Sequence, residues 1–308
     1  MAKIEKIIKS RKIDNGVSTP INVILHILFL TLCFVSVYPV LLVLGASFSE
    51  GKSIVEYGYQ VIPRIPSLEA YALVFAKPIT IFRAYGITLF NTVVGTSCSV
   101  LIVALYAYPL SRADFKYRMI FTFFIFFTML FGGGMVPWYM VCVSIGLRDN
   151  IWAMIVPYFF NAWNCIILRT FFQTTIPPAL VESAKIDGAG EWRIFFQIVM
   201  PLSLPGVATI SLFVTLTYWN DWWLPIMLID NANLFNLQAL LQSILKSIDA
   251  LKNAAQQGSA EAAAALANVP SDTANMALCM VALGPILVVY PFFQKYFISG
   301  LTIGAVKG

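Results

Sequence analysis

The chain has 308 residues, a net charge of +5, 59% hydrophobic residues and only 11% charged ones. Soluble domains run nearer a quarter charged, so this composition excludes a soluble globular protein and describes an integral membrane one. Basic residues cluster only in tails and loops, which excludes nucleic acid as a partner. No Walker A loop, HExxH or GxSxG motif is present, so there is no visible catalytic or ATP-binding site. Cys33, Cys98, Cys142, Cys165 and Cys279 are singly spaced in or beside apolar runs. They read as small buried hydrophobes, neither disulfides nor metal ligands. His26, the only histidine, lies in an apolar run and is given a structural role.

Residues 1–20 form a polar tail carrying Lys3, Lys6, Lys9, Arg11 and Lys12. The apolar run that follows, residues 21–48, is too long for a signal-peptide core and long enough to span a membrane, with Pro39 inside it. A polar linker with Pro63, Pro66 and Pro78 comes next, and Ser67 to Tyr71 begins a short interfacial helix. A second span is expected at about 87–108, with Pro109 ending it early. The third, at about 119–143, contains Gly132, Gly133, Gly134 and Pro137. That run marks either a hinge against a cavity or close helix packing through small residues. The fourth span is placed at about 151–168.

Val181 to Gly206, VESAKIDGAGEWRIFFQIVMPLSLPG, is the longest charged segment in the middle of the chain. Pro177 and Pro178 suit a helix start, and Leu180, Val181 and Ala184 share one face at helical spacing. Gly188-Ala189-Gly190 breaks the run. A second helix follows from Glu191 to Met200, with Phe195, Ile198 and Val199 on its apolar face, and Pro201 and Pro205 turn the chain back. A fifth span is placed at about 204–228, an outer loop at 229–272 with an amphipathic helix over 231–245, and a sixth span at about 273–294. Residues 299–308 form the C-terminal tail. Of the 20 Lys and Arg residues, 13 fall in residues 1–20, 112–118, 169–193 and 295–308, which would all lie on one side of six spans. The richer side is expected to be cytoplasmic, with both termini on it.

The pattern Glu182-Ser183-Ala184, Asp187-Gly188-Ala189, Pro201 and Pro205 resembles the EAA loop of ABC importer permeases. Ser183 and Met200 depart from the usual alanine and leucine. Ala107-Tyr108-Pro109-Leu110-Ser111-Arg112 resembles the close of the second span in sugar permeases, and Gln294 to Gly308 resembles their C-terminal ending. The resemblance is to the second permease of the carbohydrate, maltose-type group. It implies an all-α integral membrane protein of six transmembrane helices, with a cytoplasmic coupling loop over 177–203, between spans four and five, in a bacterial cell membrane. It also implies a related permease as heterodimer partner, two ATP-binding subunits that carry ATP and Mg, and an extracytoplasmic solute-binding protein that reaches the outer loop. This chain itself would bind no cofactor and no metal. Coupling would fall to Glu182, Ser183, Ala184, Asp187, Gly188, Ala189, Pro201 and Pro205, with Glu182 paired to a basic residue of the ATPase and Glu191 more exposed.

For the cargo path the expected residues are Trp219, Asn220, Asp221, Trp222 and Trp223. Three indoles at i, i+3 and i+4 share a helix face and suit sugar rings, while Asn220 and Asp221 offer hydrogen bonds. Asp221 is the only acid inside an expected span and should face a cavity or a partner. The competing reading is an aromatic belt at the outer interface. Three other functions remain open on the residues alone: a peptide or lipid-linked cargo, an ion-coupled secondary transporter using Asp221, and a purely structural subunit.

Overall fold

The computed structural model describes residues 19–267 and 272–287, and among these residues the regular elements are all helical. The N-terminal tail, the C-terminal tail and the end of the sixth expected span lie outside them. The chain forms two compact units, Met1–Leu73 with Pro270–Met280, and Val74–Val269 with Val281–Gly308.

In the first unit, α1 (Thr19–Ser47) is a single apolar helix with Pro39 inside it. Its outward side chains include Phe29, Leu30 and Phe34, so lipid or another chain must cover it. Gly45 at its end lies under the backbone of Gln60 and Val61, where a Cβ would collide with both carbonyls. The chain turns back through α2 (Gly51–Tyr57), which the polar linker did not announce, and enters α3 (Glu69–Val74). Ser49 bridges Pro66, and Ser47 Oγ lies 2.9 Å from the Tyr71 hydroxyl.

The second unit is built on α4 (Pro78–Ser111), 34 residues long. It starts well before the expected span and runs through Pro109 instead of stopping there. Proline forfeits one helix bond and crowds the preceding turn. Here that turn is the last one, Leu110 is fully buried, and Arg169 Nε donates to the Leu110 carbonyl at 3.2 Å.

The remaining apolar segments are broken. Helices α5 (Arg118–Leu130) and α6 (Met135–Ser144) meet at 117° across the glycine run. Two 3₁₀ turns, Ile151–Met154 and Val156–Tyr158, precede α7 (Ala162–Thr175) at a 48° bend. Asn150 and Asn161 cap these pieces by accepting from backbone N–H groups two and three residues on. The loop helices are α8 (Pro178–Ile186), α9 (Glu191–Ile194), a π-helical turn Phe195–Val199 and α10 (Met200–Leu202), with α11 (Leu204–Trp219) leaving at 81°. Pro201 lacks an N–H and would clash with the carbonyl four residues back. The helix widens just before it, and Met200 N–H bonds the carbonyl of Phe195, five residues back.

The fifth expected span does not continue to 228. It stops at Trp219 and resumes as α12 (Trp223–Leu228). Beyond it lie α13 (Leu237–Gln256), α14 (Ala260–Ala267) and α15 (Asp272–Leu287). By length and composition α1 and α4 could each cross a membrane, and counting each bent pair as one span gives up to five. The described part of α15 is shorter.

The core of this unit packs α4 against α7 and α11 and takes in the loop side chains Val181, Ile194, Phe195 and Val199. Gly95 makes the closest approach. A Cβ there would stand 2.4 Å from the Tyr218 ring, so only glycine lets α11 pack so near. Cys142 and Cys165 are buried as expected, but Cys33 and Cys279 are exposed. An apolar side chain on a membrane helix stays out of water when it faces lipid, so the apolar run did not require protein around it.

Candidate functional site

Helix α8 begins at Pro178 and ends at the turn where Gly188 has φ +77°, a left-handed conformation that L side chains resist. Val181 anchors it, buried in the same core as Phe172 and Phe195, and Ala184 and Ala189 pack partly against that core. The expected shared face of Leu180, Val181 and Ala184 is therefore split. Val181 and Ala184 face inward, whereas Leu180, about 100° around the helix from Val181 and in its first turn, is exposed. Outward lie Glu182, Ser183, Ile186, Asp187 and Gly188, and Pro201 is exposed while Pro205 is half-buried. Trp192 and Phe196 are also exposed and stack on each other, centroids 6.1 Å apart.

Glu191 is exposed but engaged. Its Oε2 accepts from the Tyr108 hydroxyl at 2.6 Å, and its Oε1 lies 2.8 Å from Lys185 Nζ. Lys185 also donates to Asp114 at 3.1 Å, and Arg112 grips Asp114 through Nε and Nη2 at 3.0 and 2.8 Å. Arg112 Nη1 returns to the Tyr108 hydroxyl at 3.3 Å. Burial works against the charge of Glu191, yet hydrogen bonds from Lys185 and Tyr108 hold its carboxyl below the ordinary range. Asp114 is lowered chiefly by the Arg112 hydrogen bond, and Lys185 is raised chiefly by Glu191. Sequence reasoning passed over this ring because Arg112 entered only as the end of a patterned stretch and in the charge count, and nothing linked it to Lys185. The available signal was that Tyr108 and Arg112 stand in a patterned stretch.

The break between α11 and α12 is built differently. Asp221 is buried, and its Oδ1 accepts from Trp223 N and Leu224 N at 3.1 and 3.2 Å, capping α12. The Tyr158 hydroxyl donates to the same oxygen at 3.2 Å, while Oδ2 is buried without a partner. Asn236 Nδ2 donates to the Asp221 carbonyl at 2.5 Å, and Asn236 Oδ1 caps α13 by accepting from Ala239 N. Leu237 N–H reaches Thr88 Oγ1 on α4 at 2.8 Å. The three indoles do not share one face, since the helix ends between them. Trp219 is buried with Nε1 on the Ala282 carbonyl, Trp223 packs on Trp138 at 4.7 Å, and Trp222 is half exposed. Asn220 is exposed and donates back to Leu216 O. A cavity of about 50 Å³ lies beside Tyr158, Asn161, Asn164 and Tyr218.

Gly132, Gly133 and Gly134 are exposed, as is Pro137, and Gly134 has φ +83°. A Cβ on Gly132 or Gly134 would meet nothing within 4 Å, so among the described residues no helix packs on them. Among the described residues no three of His, Cys, Asp and Glu come together as metal ligands.

Residues 100–303 match the family model for the binding-protein-dependent transport system inner membrane component. The chain belongs to that family. It is a transport permease and not an enzyme, and its place is the membrane. It is 40% identical over 287 residues to the polygalacturonan/rhamnogalacturonan transport system permease protein YtcP of Bacillus subtilis, covering 93% of this chain and 98% of that one. Protein LplC of the same organism is 37% identical over 276 residues, covering 89% and 90%. Among solved structures, a chain of a bacterial ABC transporter involved in import of the acidic polysaccharide alginate superposes with a TM-score of 0.77. Its identity is 28%, and the match covers 91% of this permease and 99% of that chain. Membership in this family sets aside the ion-coupled and purely structural readings.

Proposed function

We propose that this permease forms the membrane path of an ATP-driven importer for a saccharide. It would pair with a related permease and stand on two ATPase subunits that bind ATP and Mg. A solute-binding protein outside the membrane would deliver cargo towards the outer loop, where α13 supplies an amphipathic helix. Six spans with both termini in the cytoplasm put the 178–202 loop on the ATPase side. The names of YtcP and of the alginate importer support a polymer-derived, oligomeric sugar as cargo.

The observation that carries this reading is the division of α8 into two faces. Val181 fixes its base in the core, while Glu182, Ser183, Ile186 and Asp187 stay outward. Ile186 is 86% exposed, an apolar side chain that a partner surface would cover. Closure of the ATPase pair would move that face and turn the spans between inward- and outward-facing states. The outward Asn220 and Trp222 fit the cargo path, and the unpacked glycines 132–134 with Pro137 fit a hinge. Glu182 forms no ion pair among the described residues and is free for a basic residue of the ATPase. The test is Glu182→Lys in the purified complex, measuring ATPase retention and uptake into liposomes. Full retention with normal uptake would refute the docking geometry.

A further inference from the structure

The ring of Tyr108, Arg112, Asp114, Lys185 and Glu191 crosses the turn between the two loop helices. Between α8 and α9 the backbone runs only through residues 187–190, and Gly188 has no atom within 4 Å of where its Cβ would stand. The turn's own backbone bonds, Gly188 N–H to the Lys185 carbonyl at 3.0 Å and Ala189 N–H to the Ala184 carbonyl at 2.9 Å, close the end of α8 but do not reach α9. Lys185, in the last turn of α8, bonds Glu191, the first residue of α9, across the gap at 2.8 Å. Each of these two residues is then tied back to one end of α4. Lys185 reaches Asp114 at 3.1 Å, and Glu191 receives the Tyr108 hydroxyl at 2.6 Å. Arg112 closes the ring by holding both Asp114 and Tyr108.

The composition of the ring fits a fastener better than a binding site. Two cations face two carboxylates, so no net charge remains to attract an ion. The side chains of Lys185, Asp114 and Glu191 are 40%, 57% and 56% exposed, and half-exposed pairs add little to stability one by one. A closed ring instead fixes direction, since no member can swing without breaking two contacts. Its anchor is rigid. Tyr108 is buried among Phe195, Val199 and the α7 side chains.

We propose that these five residues are positioning residues that make α8, α9 and the end of α4 move as one body. A push on the outward face of α8 then reaches the spans instead of being absorbed at Gly188. The proposal rests on the reading of this loop as the ATPase-docking element.

The test uses the full complex in liposomes with its binding protein, reading ATP hydrolysed per cargo molecule imported and ATPase subunit retention. Lys185→Met and Glu191→Gln should each raise ATP per cargo by about fivefold or more, in the range of ordinary coupling energies. Retention should be unchanged. The double variant should be no worse than the worse single one, because both remove the same bond. Lys185→Arg, which keeps the charge and the reach to both carboxylates, should restore the ratio. A normal ratio in both single variants would overturn the proposal. So would loss of the ATPase subunits from Lys185→Met, which would place the ring in the docking surface itself. The docking reading fails by another sign, full retention and uptake by Glu182→Lys, so the two failures are distinguishable.

Discussion

Two interruptions in this permease join helices across a few residues, and they are held by opposite means. At Gly188 the space beside the backbone is open, and the polar groups that tie one helix to the next are half-exposed ion pairs. At Asn220 to Trp222 the holding groups are buried: one aspartate oxygen accepts from two backbone N–H groups and a phenol, and an asparagine ties the next helix to it. Exposed pairs are worth about 0–1 kcal/mol and weaken with salt. A buried polar group stripped of its partner costs about 1–3 kcal/mol. The first interruption can therefore be reset cheaply, as would suit the subunit-docking role proposed for it. The second is a fixed corner, as suits a part that shapes the spans.

The largest expected effect lies at the fixed corner. Asp221→Ala removes the α12 cap, about 1 kcal/mol, and leaves the Tyr158 hydroxyl without its acceptor, about 1–3 kcal/mol. The variant complex should melt at clearly lower temperature. Asp221→Asn keeps an oxygen for all three donors and should stay within about 1 kcal/mol of the parent, since the corner needs the acceptor and not the charge. If Asp221→Asn keeps its melting temperature but stops uptake, the carboxylate works in the cargo path and the contrast between the two interruptions is wrong.

Next comes reversal of charge at the other interruption. Glu191→Lys puts an ammonium beside Lys185 and Arg112. Melting should fall by less than about 1 kcal/mol, while uptake per ATP drops at least as far as in Glu191→Gln. Raising salt to about 1 M, where the screening length is about 3 Å, should push the parent towards the same uncoupled ratio. It should leave Lys185→Met nearly unmoved, because that variant has no pair left to screen. Acidity acts through the same groups. Glu191 and Asp114 are held below their ordinary 4.5 and 3.8, so their contribution is whole above those values and fades as pH falls through the depressed folded ones. Lys185 is raised above 10.5, so its contribution is whole below that and lost only in stronger alkali. ATP per cargo should therefore stay flat from about pH 5 to 9. A step near neutrality would mean that another group governs the ratio.

These two interruptions were unequally legible. The loop showed itself through ordered glycine, acid and proline spacing, and the structure has both its helices and its turn. Its ring did not show, because Lys185 and Glu191 meet Asp114 and Tyr108 some 70 to 80 positions earlier, a distance periodicity cannot reach. The corner at Asp221 was mistaken for a continuous helix because Tyr218 to Leu228 has no glycine, and its one proline lies inside α12. The available signal was the aspartate itself. An acid two residues before an apolar helical run is a cap candidate, and its capping role competes with any role in the path. Pro109 misled in the other direction, since tertiary packing at the end of α4 overrides a local stop.

A smaller effect is expected at Gly188. Gly188→Ala places a Cβ in open space but at φ +77°, so the cost is backbone strain alone, about 1 kcal/mol. Gly188→Asn should cost less, because asparagine visits this region more readily. With the ring intact, both should keep the parent ratio of ATP to cargo. Combined with Lys185→Met, the alanine variant should uncouple no further, since the ring and not the glycine transmits the push.

The smallest structural effect belongs to Asn220, and for that reason it gives the cleanest reading of the path. It is exposed, and its side-chain amide donates to the carbonyl of Leu216 in its own helix. Asn220→Ala should therefore shift stability by less than about 0.5 kcal/mol. Asp221, its neighbour, is buried and committed to α12, so a loss of uptake there would be confounded with collapse of the corner. If Asn220 meets cargo hydroxyls, uptake should fall in Asn220→Ala at unchanged melting temperature and unchanged stimulation of hydrolysis by the binding protein. Trp222→Leu should weaken uptake likewise, by removing an exposed ring that could stack on sugar. A lipid-facing belt predicts the opposite pattern, with both variants importing at the parent rate, and would move the path away from this end of α11.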